Sequence, residues 1–223
     1  MSNKIINNFS IQYNDNLSFN FNEGWEPLLA FYQTCELETK KYFASIIKED
    51  WNVIDVGANI GMFSALFAQV TKGDIFLIEA AEINMDMLKN NLKDFGSNIH
   101  YLKEYLSSQV EQKEGTVHYL WTGHGSQLRE EGLFNTNTID NLFANYEGEI
   151  NLIKIDIDGW DFPCLMGAKE TINNHRPIVM VEVMDETLQL TGNKTQDVFD
   201  FFESLNYKNV NILDKTNYIF ESK

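Results

Sequence analysis

The chain is poor in the features that mark specialised proteins. Its 223 residues include only 3 prolines and 2 cysteines. Cys35 and Cys164 stand too far apart for a zinc knuckle and are too few for a disulfide scaffold, so reduced thiols in a cytoplasmic protein are the expectation. No apolar run approaches the ~18 residues of a membrane span, and the N-terminal MSNKIINNFSIQYND has no apolar signal core. Positive charge is scarce too: 17 Lys and Arg face 33 Asp and Glu, a formal net charge of -16. A field of that sign repels phosphate backbones and anionic lipid, which argues against nucleic-acid or membrane partners. Solubility alone accounts for the charge.

What is present is globular: 43% hydrophobic and 13% aromatic residues. A chain of this length buries roughly 70% of its unfolded surface, enough for one domain spanning residues 1–223. Residues 1–50 read as a cap. Phe9, Ile11 and Tyr13 alternate onto one face, as do Leu17, Phe19 and Phe21 beyond Asn14-Asp15-Asn16, which predicts a hairpin. Trp25 to Ile47 then reads as helical, with Pro27 in the first turn.

Residues 51–223 read as an α/β core. Apolar strands are expected at VIDVG after Trp51, Asp74–Glu79, Ile99–Leu102, Thr116–Leu120, Ile150–Ile157 and PIVMVEV. Helices are expected at Met62–Val70, Ile83–Phe95 and Phe162–Asn173. That alternation implies a mostly parallel sheet with right-handed crossovers. A last helix, Thr195–Leu205 with Thr195 as N-cap, precedes strands Tyr207–Leu213 and Asn217–Glu221. Their three-residue link makes that pair antiparallel.

The sharpest local signal is Asp55-Val56-Gly57-Ala58-Asn59-Ile60-Gly61, between the first core strand and its helix. Gly57 and Gly61 lack a Cβ, so the backbone can turn tightly and let a ligand approach. Glycine is absent where a dinucleotide fingerprint needs it, which disfavours a diphosphate ligand and a dehydrogenase. A tight turn without a ligand is the plain alternative. Glu79 follows Asp55 by 24 residues at the end of the second strand, where a carboxylate can accept both hydroxyls of a ribose.

Strand alternation places Lys154, Asp156 and Asp158 on one side, running to the ligand edge of the sheet. Lysine two residues from aspartate in an apolar strand is costly unless paired, so a structural pair and a catalytic one stay open. Glu182 ends the next strand and can reach the same region. His124, in a glycine-flanked polar loop, is the histidine candidate, with a solvated loop residue as its alternative. His175 is expected to cap a helix end, and His100 and His118 receive no role.

The segments VIDVGANIGMFS (Val53–Ser64), IFLIEA (Ile75–Ala80), NTIDNL (Asn137–Leu142), INLIKIDIDGWDFPCLMGAK (Ile150–Lys169) and HRPIVMVEV (His175–Val183) occur in this order. Together they resemble the FkbM-type methyltransferases. That resemblance implies a Rossmann-like class I methyltransferase sheet and S-adenosylmethionine as cofactor. It implies a small-molecule acceptor, such as a sugar, methylated on a hydroxyl. Carried over by position, Asp55, Gly57, Ala58, Asn59 and Gly61 form the cofactor loop, Glu79 holds the ribose, and Asp156 faces the methyl group. The chain departs from the family at Asp158, where Glu is usual, and at Met62 and Ala80.

A hydroxyl nucleophile must lose a proton as it attacks, which calls for a carboxylate, a histidine or an acidifying metal. Asp156, Asp158 and Glu182 can serve as bases or hold Mg2+ through hard oxygens, with the base reading ahead. N-methylation of a small molecule and a non-catalytic module that binds the cofactor are the competing readings. The methyl acceptor and the oligomeric state are not legible in the residues.

Overall fold

A computed structural model of the chain describes residues 4–96, 98–121 and 126–223. The chain opens on a hairpin, β1 (Ile5–Asn14) and β2 (Leu17–Trp25), paired antiparallel with Phe9 opposite Phe21 and Ile11 opposite Phe19. Its alternation is expressed as burial: Phe9, Ile11, Tyr13 and Phe21 join one apolar cluster with Ile60, Phe63 and Leu88. Asn91 fastens the hairpin to the core. Its buried side chain accepts from the backbone N–H groups of Asn22 and Glu23 at 2.9 Å and donates to the Ile60 carbonyl at 2.8 Å.

The helix expected from Trp25 to Ile47 is in fact two, α1 (Glu26–Thr34) and α2 (Leu37–Ile46). The chain breaks at Cys35-Glu36 because Glu36 takes a left-handed conformation, φ 50. A non-glycine residue held there costs on the order of 1–3 kcal/mol and needs support from its surroundings. Lys40 supplies it: fully buried, its ammonium donates to the carbonyls of Tyr32 and of Cys35, the latter at 2.9 Å. Periodicity cannot register this elbow, since both halves keep an apolar helical face.

The core follows as β3 (Val53–Val56), α3 (Met62–Val70), β4 (Ile75–Ile78), α4 (Glu82–Asn91) and β5 (Ile99–Leu102). Then come β6 (Tyr105–Leu106), β7 (Gln112–Trp121), β8 (Ser126–Asn137), α5 (Ile139–Phe143), β9 (Leu152–Ile155), α6 (Asp161–Met166) and α7 (Lys169–His175). The chain closes with β10 (Ile178–Glu182), α8 (Asp185–Leu188), α9 (Thr195–Ser204), β11 (Tyr207–Leu213) and β12 (Asn217–Ser222).

Seven strands form the central sheet in the order β11-β12-β10-β9-β3-β4-β5. The five from β10 to β5 are parallel, while β12 runs antiparallel to both β10 and β11. Continuous burial of β3 and β9 reflects helices packed on both faces. Chain progression reverses between β3 and β9, so their carboxyl ends flank a crevice.

Two expectations change here. The strand near Thr116–Leu120 does not extend the parallel sheet; it belongs to the antiparallel β7–β8 hairpin in a separate sheet ordered β6-β8-β7. Long alternating arms satisfy each other's backbone groups without a place in the main sheet. The N-cap of α9 is Lys194, whose N–H donates to Asp197 at 2.9 Å, while the Thr195 hydroxyl donates to Asp185.

Candidate active site

The turns after β3 and β9 bring glycine and carboxylate side by side at the β3–β9 crevice. After β3 the chain turns at Gly57, φ 75, whose N–H donates to the Ile78 carbonyl at 3.0 Å. A Cβ on Gly57 would lie 1.9 Å from the Asp156 carbonyl oxygen, so the loops after β3 and β9 meet only because that position is glycine. Asn59 is also left-handed, φ 50, and Gly61, φ 104, leads into α3.

Glu79 follows β4 directly and is 6% exposed. One carboxylate oxygen accepts from the Asn59 N–H and the other from the Ala81 N–H, both at 2.8 Å. Thus the acid expected to bind a ribose also ties the glycine loop to β4. Burial pushes it up to about 7 against the two backbone donors.

Asp55 and Lys154 face each other across β3 and β9 inside the sheet. The Lys154 ammonium, 1% exposed, lies 3.4 Å from Asp55 and 3.2 Å from Asp156. Ser64 donates its hydroxyl to the second Asp55 oxygen at 2.6 Å. Burial acts to discharge the lysine, but Asp156 and Asp55 outweigh it and hold Lys154 protonated. Lys154 is therefore a bridge that serves both readings, a structural pair with Asp55 and a brace for Asp156.

Asp158 departs from the strand alternation expected of it. β9 ends at Ile155, and Asp158 sits in a left-handed turn, φ 52. Asp161 shapes that turn by accepting from the N–H groups of Ile157 and Gly159, each at 2.9 Å. Asp161 received no role from the sequence; an aspartate opening a helix three residues after Asp158 was the available signal. Burial, then Asp156, pushes Asp158 well above the usual carboxylate range.

Two cavities share Gly57, Asn59, Asp156 and Asp158 as a common wall. The first, about 780 Å³, lies between Glu79 and the β7–β8 hairpin, with Trp160 and Lys113 along it. Lys113 stands 5.2 Å from the centre of the Trp160 ring. The second, about 1570 Å³, opens toward the α1–α2 elbow and takes in Tyr32, Glu36, Phe63 and Glu182. Nothing local in the sequence distinguishes Glu36 as a site residue. His124 lies outside the described residues, and His175, at the end of α7, accepts from the Ile150 N–H at 3.4 Å.

The first cavity suits S-adenosylmethionine. It offers an acid for a diol and carboxylates for a sulfonium, and among the described residues its walls lack a cluster of cations for phosphates. The metal alternative finds no such support: among the described residues, no group of three or more His, Cys, Asp or Glu is placed to hold an ion. Among them also, no helix is long and apolar enough to cross a membrane.

Comparison with known proteins adds to this geometry. The chain is similar to the FkbM methyltransferase of Methylobacillus flagellatus KT, with 18% identity and a TM-score of 0.53 over 87% of this chain and 52% of that one. It thus spans about half the length of that protein. The fibrillarin pre-rRNA processing protein of Methanococcus jannaschii shares 14% identity, TM-score 0.51, over 79% of this chain and 69% of its own. The Streptococcus mutans protein SMU.1697c, solved in complex with SAH, shares 8%, TM-score 0.51, over 83% and 95%. At these identities the likeness is one of fold. No curated protein matches the chain. The model of the methyltransferase FkbM domain matches residues 55–208, most of the sequence and all of the crevice from the Asp55 loop to Glu182, so the chain belongs to the FkbM family of S-adenosylmethionine-dependent methyltransferases.

Proposed function

We propose that the chain, as one domain over residues 1–223, transfers the methyl group of S-adenosylmethionine to a hydroxyl of a sugar or related small metabolite. The observation that carries this reading is the meeting of the two cavities at Gly57, Asn59, Asp156 and Asp158, with carboxylates at the junction. The smaller cavity is the cofactor's and the larger the acceptor's. When bound, the cofactor supplies an electrophilic methyl group on a sulfonium.

The protein's own part is to position and to take a proton. Asp55, Gly57, Ala58, Asn59 and Gly61 shape the cofactor loop, and Glu79 accepts from the ribose hydroxyls. Asp156 faces the junction with its carboxylate steadied by Lys154 at 3.2 Å. Asp158 is the second candidate base, because it lies at the same junction of the two cavities. Holding the hydroxyl in line does much of the remaining work. A net charge of -16 supports a small acceptor over nucleic acid, and two free cysteines suit a cytoplasmic setting.

The test is Asp156→Asn and Asp158→Asn, each assayed with labelled cofactor against a panel of sugars. SAH affinity should persist while turnover of one variant falls by about 10²–10⁴-fold, with EDTA having no effect. Wild-type turnover in both variants removes the carboxylate base and makes His124 the next residue to change. Activity lost to EDTA and restored by Mg2+ returns the metal reading.

A further inference from the structure

We propose that the acceptor carries a protonated amine, received in the larger cavity among Glu36, Asp158 and Glu182. The proposal deepens the function above and rests on its assignment of that cavity to the acceptor.

Charge along this wall is one-sided: seven carboxylates line it against two lysines. Lys154 is already committed to Asp55 and Asp156. Lys215, on the exposed β11–β12 turn, makes no ion pair among the described residues. Asp214 is spent on the backbone, accepting from the N–H groups of Glu38 and Thr39 at the start of α2. The side-chain carboxylates of Asp158 and Glu182 have no hydrogen-bond or ion-pair partner among the described residues, although they are largely buried and face this space. Carboxylates that protein groups leave unpaired in such a place call for a cation from outside.

Glu36 is presented with more care than a solvated side chain needs. Its left-handed backbone is braced by Lys40, and Asn217 donates to one carboxylate oxygen at 3.0 Å. Asn217 is itself 1% exposed and also donates to Thr39. A strained residue held by buried partners from β12 is a fixed acceptor, in place before any ligand arrives. Without a cation, burial and then Asp156 push Glu36 up to about 7; burial, Asp156, Asp161 and Asp158 push Glu182 up as well.

The cation is organic, not a bare metal ion. No three acids among the described residues are placed around one point. An ammonium needs only one or two carboxylate partners at a time, which this wall supplies without the closed set of three that a metal ion takes. Tyr32 and Phe63 add aromatic surface, and Phe63 already carries the Lys154 ammonium 5.3 Å from its ring centre.

The experiment is calorimetric titration of the SAH-saturated protein with matched pairs: glucosamine and N-acetylglucosamine, galactosamine and N-acetylgalactosamine, 2-deoxystreptamine and its di-N-acetyl derivative. Acetylation removes the charge and leaves the hydroxyls. At least one amine should bind about tenfold or more tighter than its partner. Glu36→Gln and Glu182→Gln should each erase most of that preference while SAH affinity stays within about twofold, since neither residue lines the cofactor cavity. Equal binding within every pair, no binding by any amine, or a preference that survives both substitutions overturns the proposal. Deuterated methyl transfer judges the underlying reading separately. Label on nitrogen overturns O-methylation and leaves the amine site standing; label on the oxygen of neutral sugars, bound as well as the amines, does the reverse.

Discussion

Glu79→Gln separates the two duties of one buried acid. In the wild-type protein Glu79 is raised from 4.5 to about 7 by burial. A carboxyl raised on folding favours the folded state fully below its unfolded pKa, and that advantage is lost as pH rises through the folded value. That rise corresponds to about 3 kcal/mol lost between pH 4.5 and 7, at about 1.36 kcal/mol for each tenfold change in proton concentration. Glutamine mimics the protonated acid and does not titrate. It keeps one oxygen for either the Asn59 or the Ala81 N–H and turns an NH2 toward the other, which costs about 1–3 kcal/mol. The variant should therefore be less stable than wild type at acidic pH, near parity above neutrality, and flatter in between. Cofactor affinity should fall above neutrality, where the wild-type acid is ionised, because a charge-assisted hydrogen bond to a ribose hydroxyl is worth roughly 1.5–3 kcal/mol, or about 10–100-fold in SAH affinity. Thermal denaturation across pH and calorimetry with SAH measure the two effects. Unchanged SAH affinity refutes the ribose assignment, and an unchanged pH slope refutes the electrostatic argument.

Other substitutions probe the frame around it. Gly57→Ala puts a methyl 1.9 Å from the Asp156 carbonyl at φ 75 and should cost about 3 kcal/mol, lowering Tm by roughly 6–12 °C; a Tm within about 2 °C of wild type contradicts the close approach. Lys154→Met leaves buried Asp55 without its cation and should destabilise by about 3–5 kcal/mol in urea titration. Adding Asp55→Asn to that variant should recover much of the loss, and failure to recover would show that the pair is not what stabilises the crevice. Tyr13→Phe removes the phenol's hydrogen bond to the Met62 carbonyl, 2.6 Å, and should cost about 1 kcal/mol by the same measurement with SAH affinity unchanged.

Legibility followed the range of the interactions. The hairpin alternation of Phe9, Ile11 and Tyr13, the β3 and β10 strands, and the glycines at 57 and 61 express physics that acts within a few residues of each position, so pattern reading reached them. The β7–β8 arm was half legible. Thr116–Leu120 reads as a strand, but only its partner shows that it leaves the main sheet. Strand alternation does not extend to Asp158, because β9 ends at Ile155 and Asp161 captures the N–H groups of Ile157 and Gly159.

By itself, the sequence determined the α/β class, the crevice after VIDVG and the order of the family's segments, because each is encoded in residues that touch their chain neighbours. Only the tertiary structure decided which acids share the crevice. Glu36 enters it through a left-handed elbow held by Lys40 and by Asn217, 181 positions further along the chain, and Glu182 joins through the pairing of β10 with β9. No local pattern carries such a meeting, because the contacts that fix it exist only once the sheet has formed.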